Sequence, residues 1–544
     1  LKRLPDKNPW EKNIFIIAVS LFYLVGLFDL WSGLRTILLS AGGTYLISYY
    51  IDGSLMPWIV FVWLMGHMSI NHIARQNLND SSTVDITGMQ MVMLMKLSAF
   101  AWNVHDGRIK PELLTDIQKD RAIYKMPGFL DYAAYVLFFP SLFTGPAFDF
   151  NDYKRWIETT MFDTAPGDVA PRTYKNRRIP RSGTPATMKL AEGLFWVLVY
   201  LQLGGMYYPG FLLQDKYWNY SFLRRVWYIY ALAFTSRTKY YGVWTLTEGA
   251  CIQSGLGYNG IDPQTKKARW DRLNNVNPWG IETAQNAKGY LENWNKNTNH
   301  WLRHYIYLRV TPKGKKPGFR ATLATFATSA FWHGFYPGYY LTFILGAFVQ
   351  TAAKNFRRYL RPFFLTPDGK QPTTYKLYYD IVCWLVTQTA FCFVTAPFVI
   401  LGFGDSIKAW ASVYFYCIAG TGLSMAFFAS PARKWLAKRL DQRNHPHVLQ
   451  RTKSETRMPN LGMLDTEEID RAIDEIKEEV DTRRRRGSKV EFPNGDALKK
   501  AISERVWLHR NGAGNSGADG SKVDMEHVHD AVKDTLLGDA RKSQ

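Results

Sequence analysis

The sequence predicts an all-α polytopic membrane protein, and three observations carry that class. Apolar stretches of membrane-crossing length recur. Residues 193–214, 381–404 and 409–432 hold no formal charge, 321–353 hold none and one imidazole, His333, and 53–74 hold only two, His67 and His72. A spanning helix needs about 20 apolar residues, and in lipid its backbone must satisfy its own hydrogen bonds. Any one stretch also reads as a buried helix of a large soluble protein; five together argue against that. Aromatic side chains make up 15% of the chain, with 19 Trp and 31 Tyr. Trp58, Trp63, Trp196, Trp244 and Trp410 lie in or beside apolar runs, as an interfacial belt requires. Finally, the net charge of +21 comes from basic residues that lie largely between and after the apolar segments. There they fix topology, meet anionic lipid headgroups or attract an anionic substrate; no nucleic acid partner is implied. Cys251, Cys383, Cys392 and Cys417 are scattered, which implies neither a disulfide framework nor a metal site.

Taken in order, the first apolar blocks are 14–28, 36–51 and 53–74. Residues 86–104 are apolar around a single Lys96 and read equally as a span or a partly buried helix. Residues 132–148 are broken by Pro140 and Gly145-Pro146, which predicts a short helix running into an irregular segment. After a charged loop at 149–185 come the span near 193–214, an aromatic run at 217–236 and a mixed stretch at 237–256 containing Glu248. Residues 257–318 are polar with repeated aromatic anchors, and predict short helices and loops at a membrane face or in a protein-lined cavity. The run 321–353 is interrupted by His333-Gly334 and Pro337-Gly338 and predicts two elements; 381–404 and 409–432 complete the core. We therefore expect a multi-span domain over 1–432 and a polar tail over 433–544. Basic flanks favour a cytosolic side for that tail. Ile469, Ile473, Ile476 and Val480 recur at helical spacing, predicting an amphipathic helix near 465–486 ahead of a largely disordered end. The first residues, LKRLPDKNPW, suggest that a natural N-terminal portion precedes them.

His333 is the foremost chemical candidate. An isolated imidazole among 33 uncharged residues faces a protein interior or a water-filled cavity; as a purely structural residue it would bond a neighbouring helix. Gly334 and Gly338 permit close approach of backbone or ligand. The second candidate is 293–309, NWNKNTNHWLRHYIYLR. Its four asparagines, Asn293, Asn295, Asn297 and Asn299, read blandly as a polar loop, but Trp294, Trp301 and Tyr305 argue for an ordered piece. Spacing alone leaves open which asparagine matters. Arg303, Arg309, Lys313, Lys315, Lys316 and Arg320 form a basic run beside it, suited to a positive-side loop or to a phosphorylated substrate. Lys96 and Glu248 are candidates for structural ion pairs.

At this point the chain resembles the membrane-bound O-acyltransferase family, and within it the fungal broad-specificity lysophospholipid acyltransferases. The resemblance rests on WHGFYPGYY at 332–340, RTKYYGVW at 237–244, RWD at 269–271, WNKNTNHWLR at 294–303, and the stretches 87–107 and 139–153. It covers roughly 14–432. It implies an all-α bundle of about nine to twelve tilted helices around a tunnel through the bilayer, resident in the endoplasmic reticulum. It implies acylation of lysophospholipids from acyl-CoA at the sn-2 hydroxyl, the remodelling step of the Lands cycle. Acyl-CoA is then a co-substrate, with no separate cofactor and no metal. The acceptors are the lyso forms of PC, PE, PS, PI or PA; neither the headgroup preference nor an oligomeric partner is specified. The family's histidine maps to His333 and its asparagine to Asn295, with Asn297 and Asn299 close by. The resemblance offers Trp332, Tyr336 and Tyr339 as lining of the acyl route. Arg237, Lys239, Tyr240, Tyr241 and Trp244 would shape the lysophospholipid site or brace the helices, Asn299 and Arg303 would bind acyl-CoA or the lysophospholipid, and the basic segment 303–320 would meet the CoA phosphates. Acylation of a sterol, diacylglycerol or protein is the same-fold alternative. A transporter or scramblase would move lipid without releasing CoA.

Overall fold

The computed structural model describes residues 1–78, 85–164, 170–175, 177–312 and 318–444, together with 475, 476, 480 and 501. The chain divides into two compact units, Leu1–Asn444 and His445–Gln544. In the second unit the expected amphipathic helix near 465–486 lies outside the described residues except at Glu475, Ile476 and Val480; these are helical, and Ile476 and Val480 are buried. Lys313, Lys315 and Lys316 of the basic run also lie outside them.

The first unit is all-α among its described residues, with three isolated bridges and no sheet. The helices that build the bundle and the site are α1 (Pro9–Leu21), α2 (Trp31–Tyr50), α3 (Met56–Leu78), α4 (Thr87–Gly107), α5 (Gly183–Gly204), α6 (Phe222–Ser254), α7 (Lys296–Leu302), α8 (Phe319–His333), α9 (Pro337–Tyr359), α10 (Lys376–Ile400), α11 (Phe403–Ala411), α12 (Tyr416–Ala429) and α13 (Ala432–Asn444). Among the described residues three helical stretches are long and apolar enough to cross a bilayer: Pro9–Leu27, Gly183–Leu213 and Lys376–Ile400. The bent pair α11–α12 adds a fourth if its two arms count as one span. The outer faces carry the apolar exposure that lipid contact requires: Leu198, Leu201, Ile381, Val382, Leu385 and Leu423 are all more than half exposed.

The ambiguity at 86–104 is resolved by what surrounds it. α2 and α3 pack on α4, and so does the short helix Phe129–Val136. Met93, Leu97, Phe100 and Ala101 are buried, but so are Gln90, Lys96, Ser98, Asn103 and Asp106. α4 is therefore a central helix whose polar side chains face protein. Among the described residues Lys96 has no carboxylate partner. Its ammonium donates to the Tyr135 carbonyl at 2.6 Å and lies 4.4 and 4.5 Å from the Tyr135 and Phe148 ring centroids. Glu248 does have a cationic partner, Lys189 at 3.5 Å.

The run 409–432, expected as a single span, is broken. α11 and α12 meet at 79°, and Tyr414 and Phe415 adopt φ of 55° and 50°. Trp410 causes the turn. Its ring stacks on Phe393 at 5.1 Å, its indole donates to the Phe393 carbonyl at 2.9 Å, and its own carbonyl accepts from the Phe415 amide at 3.0 Å. With α11 pinned to α10, the chain must turn to continue. The run 321–353 divides, as its glycines and proline predict, into α8 and α9.

Gly338, in the first turn of α9, meets the end of α10 backbone to backbone. Its amide donates to the Leu401 carbonyl at 2.8 Å, and a Cβ there would stand 2.0 Å from the Pro397 carbonyl oxygen. Neither carbonyl can rotate away as a side chain would. Gly338→Ala is expected to destabilise the fold by about 1–3 kcal/mol through overpacking, read as a lower thermal midpoint in lipid nanodiscs.

Candidate active site

The site is built around the end of α8. The last carbonyls of a helix lack intrahelical partners, and α8 ends at His333. Gly334, at φ 118°, turns the chain out of the helix, and its amide returns to the Phe331 carbonyl at 3.1 Å. The Trp332 carbonyl lies 3.2 Å from Nε2 of buried His72 on α3, and the Trp332 indole donates to the Met91 carbonyl of α4 at 3.1 Å. The residue preceding the imidazole is thus held by two other helices. The His333 ring is enclosed by aromatic groups. Phe343 stacks on it at 5.2 Å, the Phe398 ring stands edge-on at 4.9 Å, Tyr339 lies at 5.5 Å and Trp332 at 4.7 Å. Among the described residues no group hydrogen-bonds the His333 ring.

The asparagines divide by partner. Asn297 is committed, since its backbone amide and Nδ2 both donate to Asn275 Oδ1 at 3.0 Å. Exposed Asn299 donates to the Leu291 carbonyl at 3.0 Å, and Asn293 to the Gly289 carbonyl at 2.8 Å. Asn295 stands at the start of α7 in the left-handed region, φ 41°, and its side chain has no partner among the described residues. Two short segments are zipped together behind it. The Lys296 amide donates to the Asn275 carbonyl, the Asn277 amide to the Asn293 carbonyl, and Lys296 Nζ to Asn274 Oδ1. Asn274 in turn donates to Glu248 of α6 at 3.0 Å. The far end of α7 reaches the residue before His333: Trp301 packs on Trp332 with ring centroids 6.0 Å apart. Six residues separate Asn295 from Trp301, about 9 Å of helical rise.

Positions 237, 241, 244 and 248 share one face of α6, and that face meets the asparagine segment. Tyr240 and Trp244 pack on Trp294 at 5.6 and 5.1 Å. Arg237 is buried and forms a forked pair with Glu282, at 2.9 and 2.8 Å; Tyr241 donates to the same carboxylate at 2.7 Å. A further Arg237 nitrogen lies 3.6 Å from Cys392 Sγ on α10. The donors of Arg237 and Tyr241 are therefore engaged in joining α6, the helix Pro278–Glu282 and α10. Lys239 points the other way and is exposed. Tyr336 and Tyr339 lie at the start of α9, 6.1 Å apart, Tyr339 buried against Phe398.

α7 and its continuation are docked on α4 by polar contacts. Trp301 donates to Ser98 at 2.9 Å, Tyr305 to Asn103 at 3.1 Å and Asp149 at 2.8 Å, and Arg309 forks onto Asp106. Asn299 and Arg303 remain on the exposed side. His300 accepts from Arg121 at 2.7 Å, and Arg121 pairs with Asp149 at 3.1 Å. Burial, and then the Arg121 guanidinium, push the His300 imidazole down to about 4. The unfolded chain, at its ordinary value near 6.5, takes up a proton that the folded protein refuses. Stability is therefore expected to fall as pH drops from 6.5 toward 4. His300→Gln should reduce that slope in a nanodisc melting-temperature profile, leaving the share of His304, which burial pushes down to about 3.

The structure thus gathers His333, Trp332, Tyr339 and Tyr336 at one locus. Tyr240, Tyr241, Trp244 and Asn295 gather around Trp294, and the two groups join through Trp301. Sequence reasoning passed over His72 and Glu282. His72 carried a signal, an imidazole inside an apolar run; Glu282 sat in a polar stretch and carried none.

Residues 77–395 match the model of the MBOAT, membrane-bound O-acyltransferase family. The chain is 43% identical over 480 residues to the "Lysophospholipid acyltransferase" of Saccharomyces cerevisiae, covering 85% of this chain and 77% of that one. It is 42% identical over 476 residues to the Schizosaccharomyces pombe protein of the same name, covering 86% and 92%. It is 30% identical over 426 residues to human "Membrane-bound glycerophospholipid O-acyltransferase 2", covering 77% and 79%. On its matched residues, the extent of these likenesses and an all-α fold with bilayer-length helices, the chain belongs to the membrane-bound O-acyltransferase family.

Proposed function

We propose that the chain is an acyl-CoA-dependent lysophospholipid O-acyltransferase, acting at the sn-2 hydroxyl in phospholipid remodelling. The observation that carries this reading is the unbonded His333 imidazole in an aromatic enclosure, in a chain whose relatives are named for that activity. His333 takes the proton of the acceptor's glycerol hydroxyl. The oxygen attacks the thioester carbonyl, and the tetrahedral oxyanion collapses with cleavage of the carbon–sulfur bond. The proton then passes from His333 to the departing CoA thiolate. Asn295, whose amide has no partner among the described residues, donates to the developing oxyanion. No covalent acyl-enzyme is needed.

In this reading about nine to twelve tilted helices surround a tunnel, among them the stretches of bilayer-crossing length. It answers a physical problem: the acyl donor has a charged head and an apolar tail, the acceptor arrives from the bilayer, and water must be kept from the thioester. Trp332, Tyr336 and Tyr339 flank the acyl chain; exposed Arg303 suits the phosphates of CoA, and exposed Lys239 the lysophospholipid headgroup. The enzyme resides in the endoplasmic reticulum, with residues 1–432 as the catalytic domain and 433–544 as a cytosolic tail. The acceptors are lysophospholipids of the choline, ethanolamine, serine, inositol or unsubstituted type.

The test is purified protein in nanodiscs given oleoyl-CoA and a mixed lysophospholipid panel. CoA release and diacyl product are followed together by mass spectrometry. Release without diacyl product, or no turnover of any lysophospholipid, would sink the reading. In the same assay Asn295→Ala is expected to lower kcat by roughly 10²–10³-fold, the scale of losing one oxyanion donor. Asn299→Ala, whose side chain bonds a backbone carbonyl at the surface, should stay within about threefold of wild type, consistent with the small effect of most surface substitutions.

A further inference from the structure

We propose that His72 is a positioning residue for His333, a role that rests on the reading of His333 as the base. The physical need is set by the end of α8. Once the chain leaves the helix at Gly334, the Trp332 carbonyl has no intrahelical donor, and an unpaired carbonyl in a water-poor interior is costly. His72, buried on α3, supplies the donor: its Nε2 lies 3.2 Å from that oxygen. This contact fixes the tautomer, because only a proton on Nε2 can be given to a carbonyl. Nδ1 is then the unprotonated nitrogen, and it faces Gly334: a Cβ on that glycine would stand 3.1 Å from Nδ1. Two features of one turn therefore depend on His72. Its Nε2–H caps the peptide before His333, and its ring fills the space that the glycine after His333 leaves open. His333 itself has no hydrogen bond among the described residues, so its orientation is set by the aromatic enclosure and by these flanking peptides. A second helix thus holds the direction of the base without touching the reacting atoms. Arg75, one turn along α3, is occupied by Asp85 at 2.9 Å and Thr87 at 3.1 Å, which leaves the His72 ring to the Trp332 carbonyl.

The experiment compares His72→Gln, His72→Leu and His333→Ala with wild type in nanodiscs, all normalised to monodisperse folded protein. Gln keeps a side-chain N–H donor; Leu fills similar space without one. The expected result is a kcat for His72→Gln within about fivefold of wild type and a fall of 10-fold or more for His72→Leu, with KM for acyl-CoA unchanged in both. Equal kcat for the Gln and Leu variants overturns the proposal, whether both are active or both inactive. So does a loss confined to KM or to the yield of folded protein. If His72→Leu does not fold, an inactive but folded His72→Gln overturns it, while an active one supports it. An active His333→Ala overturns the underlying reading; an inactive one beside a fully active His72→Leu overturns the His72 role alone.

Discussion

His333→Ala is expected to abolish turnover to within detection, a loss of roughly 10²–10⁴-fold in kcat, the usual contribution of a positioned general base. That corresponds to about 2.7–5.5 kcal/mol of transition-state stabilisation at 1.36 kcal/mol per tenfold. The KM for acyl-CoA should change little, because proton abstraction is an interaction of the transition state and not of the bound ground state. The fold should survive. The ring contributes packing against Phe343 and Phe398 but no hydrogen bond among the described residues, so its removal leaves no buried polar partner stranded. His333→Gln separates chemistry from packing more cleanly. Its amide fills similar space and can hydrogen-bond the acceptor hydroxyl, but it cannot take the proton. It should be as inactive as the alanine variant, at a wild-type melting temperature. Phospholipid formation by folded His333→Gln at more than about a tenth of the wild-type rate would remove His333 as the base, because no such rate is compatible with losing general-base catalysis.

The second large effect concerns stability. Arg237→Ala is expected to cost about 3 kcal/mol, the lower end for breaking a buried pair, because it strips the half-buried Glu282 carboxylate of its forked partner. Against the 5–15 kcal/mol typical of whole domains, this should show as a low yield of folded protein and a melting temperature many degrees below wild type. The geometry explains the size. Glu282 accepts from Arg237 at 2.9 and 2.8 Å and from Tyr241 at 2.7 Å, and the adjoining peptides are tied to α10, where Trp384 and Gln388 donate to the carbonyls of Glu282 and Ile281. Arg237→Lys should recover little, since an ammonium cannot reproduce the fork. Glu282→Ala should cost a similar amount. The double variant should cost less than the sum of the two singles, because the second change removes a charge already left unpaired. The alternative, in which Arg237 binds the lysophospholipid, predicts a folded Arg237→Ala with a wild-type melting temperature and a raised acceptor KM.

The sequence by itself determined a good deal, and for an identifiable reason in each case. Bilayer-length apolar runs and their polar interruptions are properties of a linear string, so the helical class was legible, as was the division of 321–353 at Gly334 and Pro337. His333 was conspicuous because an imidazole among uncharged neighbours breaks a local pattern. What the string could not carry is partnership between distant positions. Four asparagines at alternating positions look alike until Asn275, 22 residues before Asn297, engages that one, and a backbone carbonyl engages Asn299. Arg237 looked equally suited to a headgroup or a brace until Glu282 arrived 45 residues later. Lys96 looked like half of an ion pair until the Tyr135 carbonyl accepted its hydrogen bond. The run 409–432 read as straight because nothing local announces that Trp410 will be held by Phe393. Burial removes water as an alternative partner, so which polar group finds which is decided only when the helices assemble, and that choice separates the residues left free for chemistry from those that hold the fold.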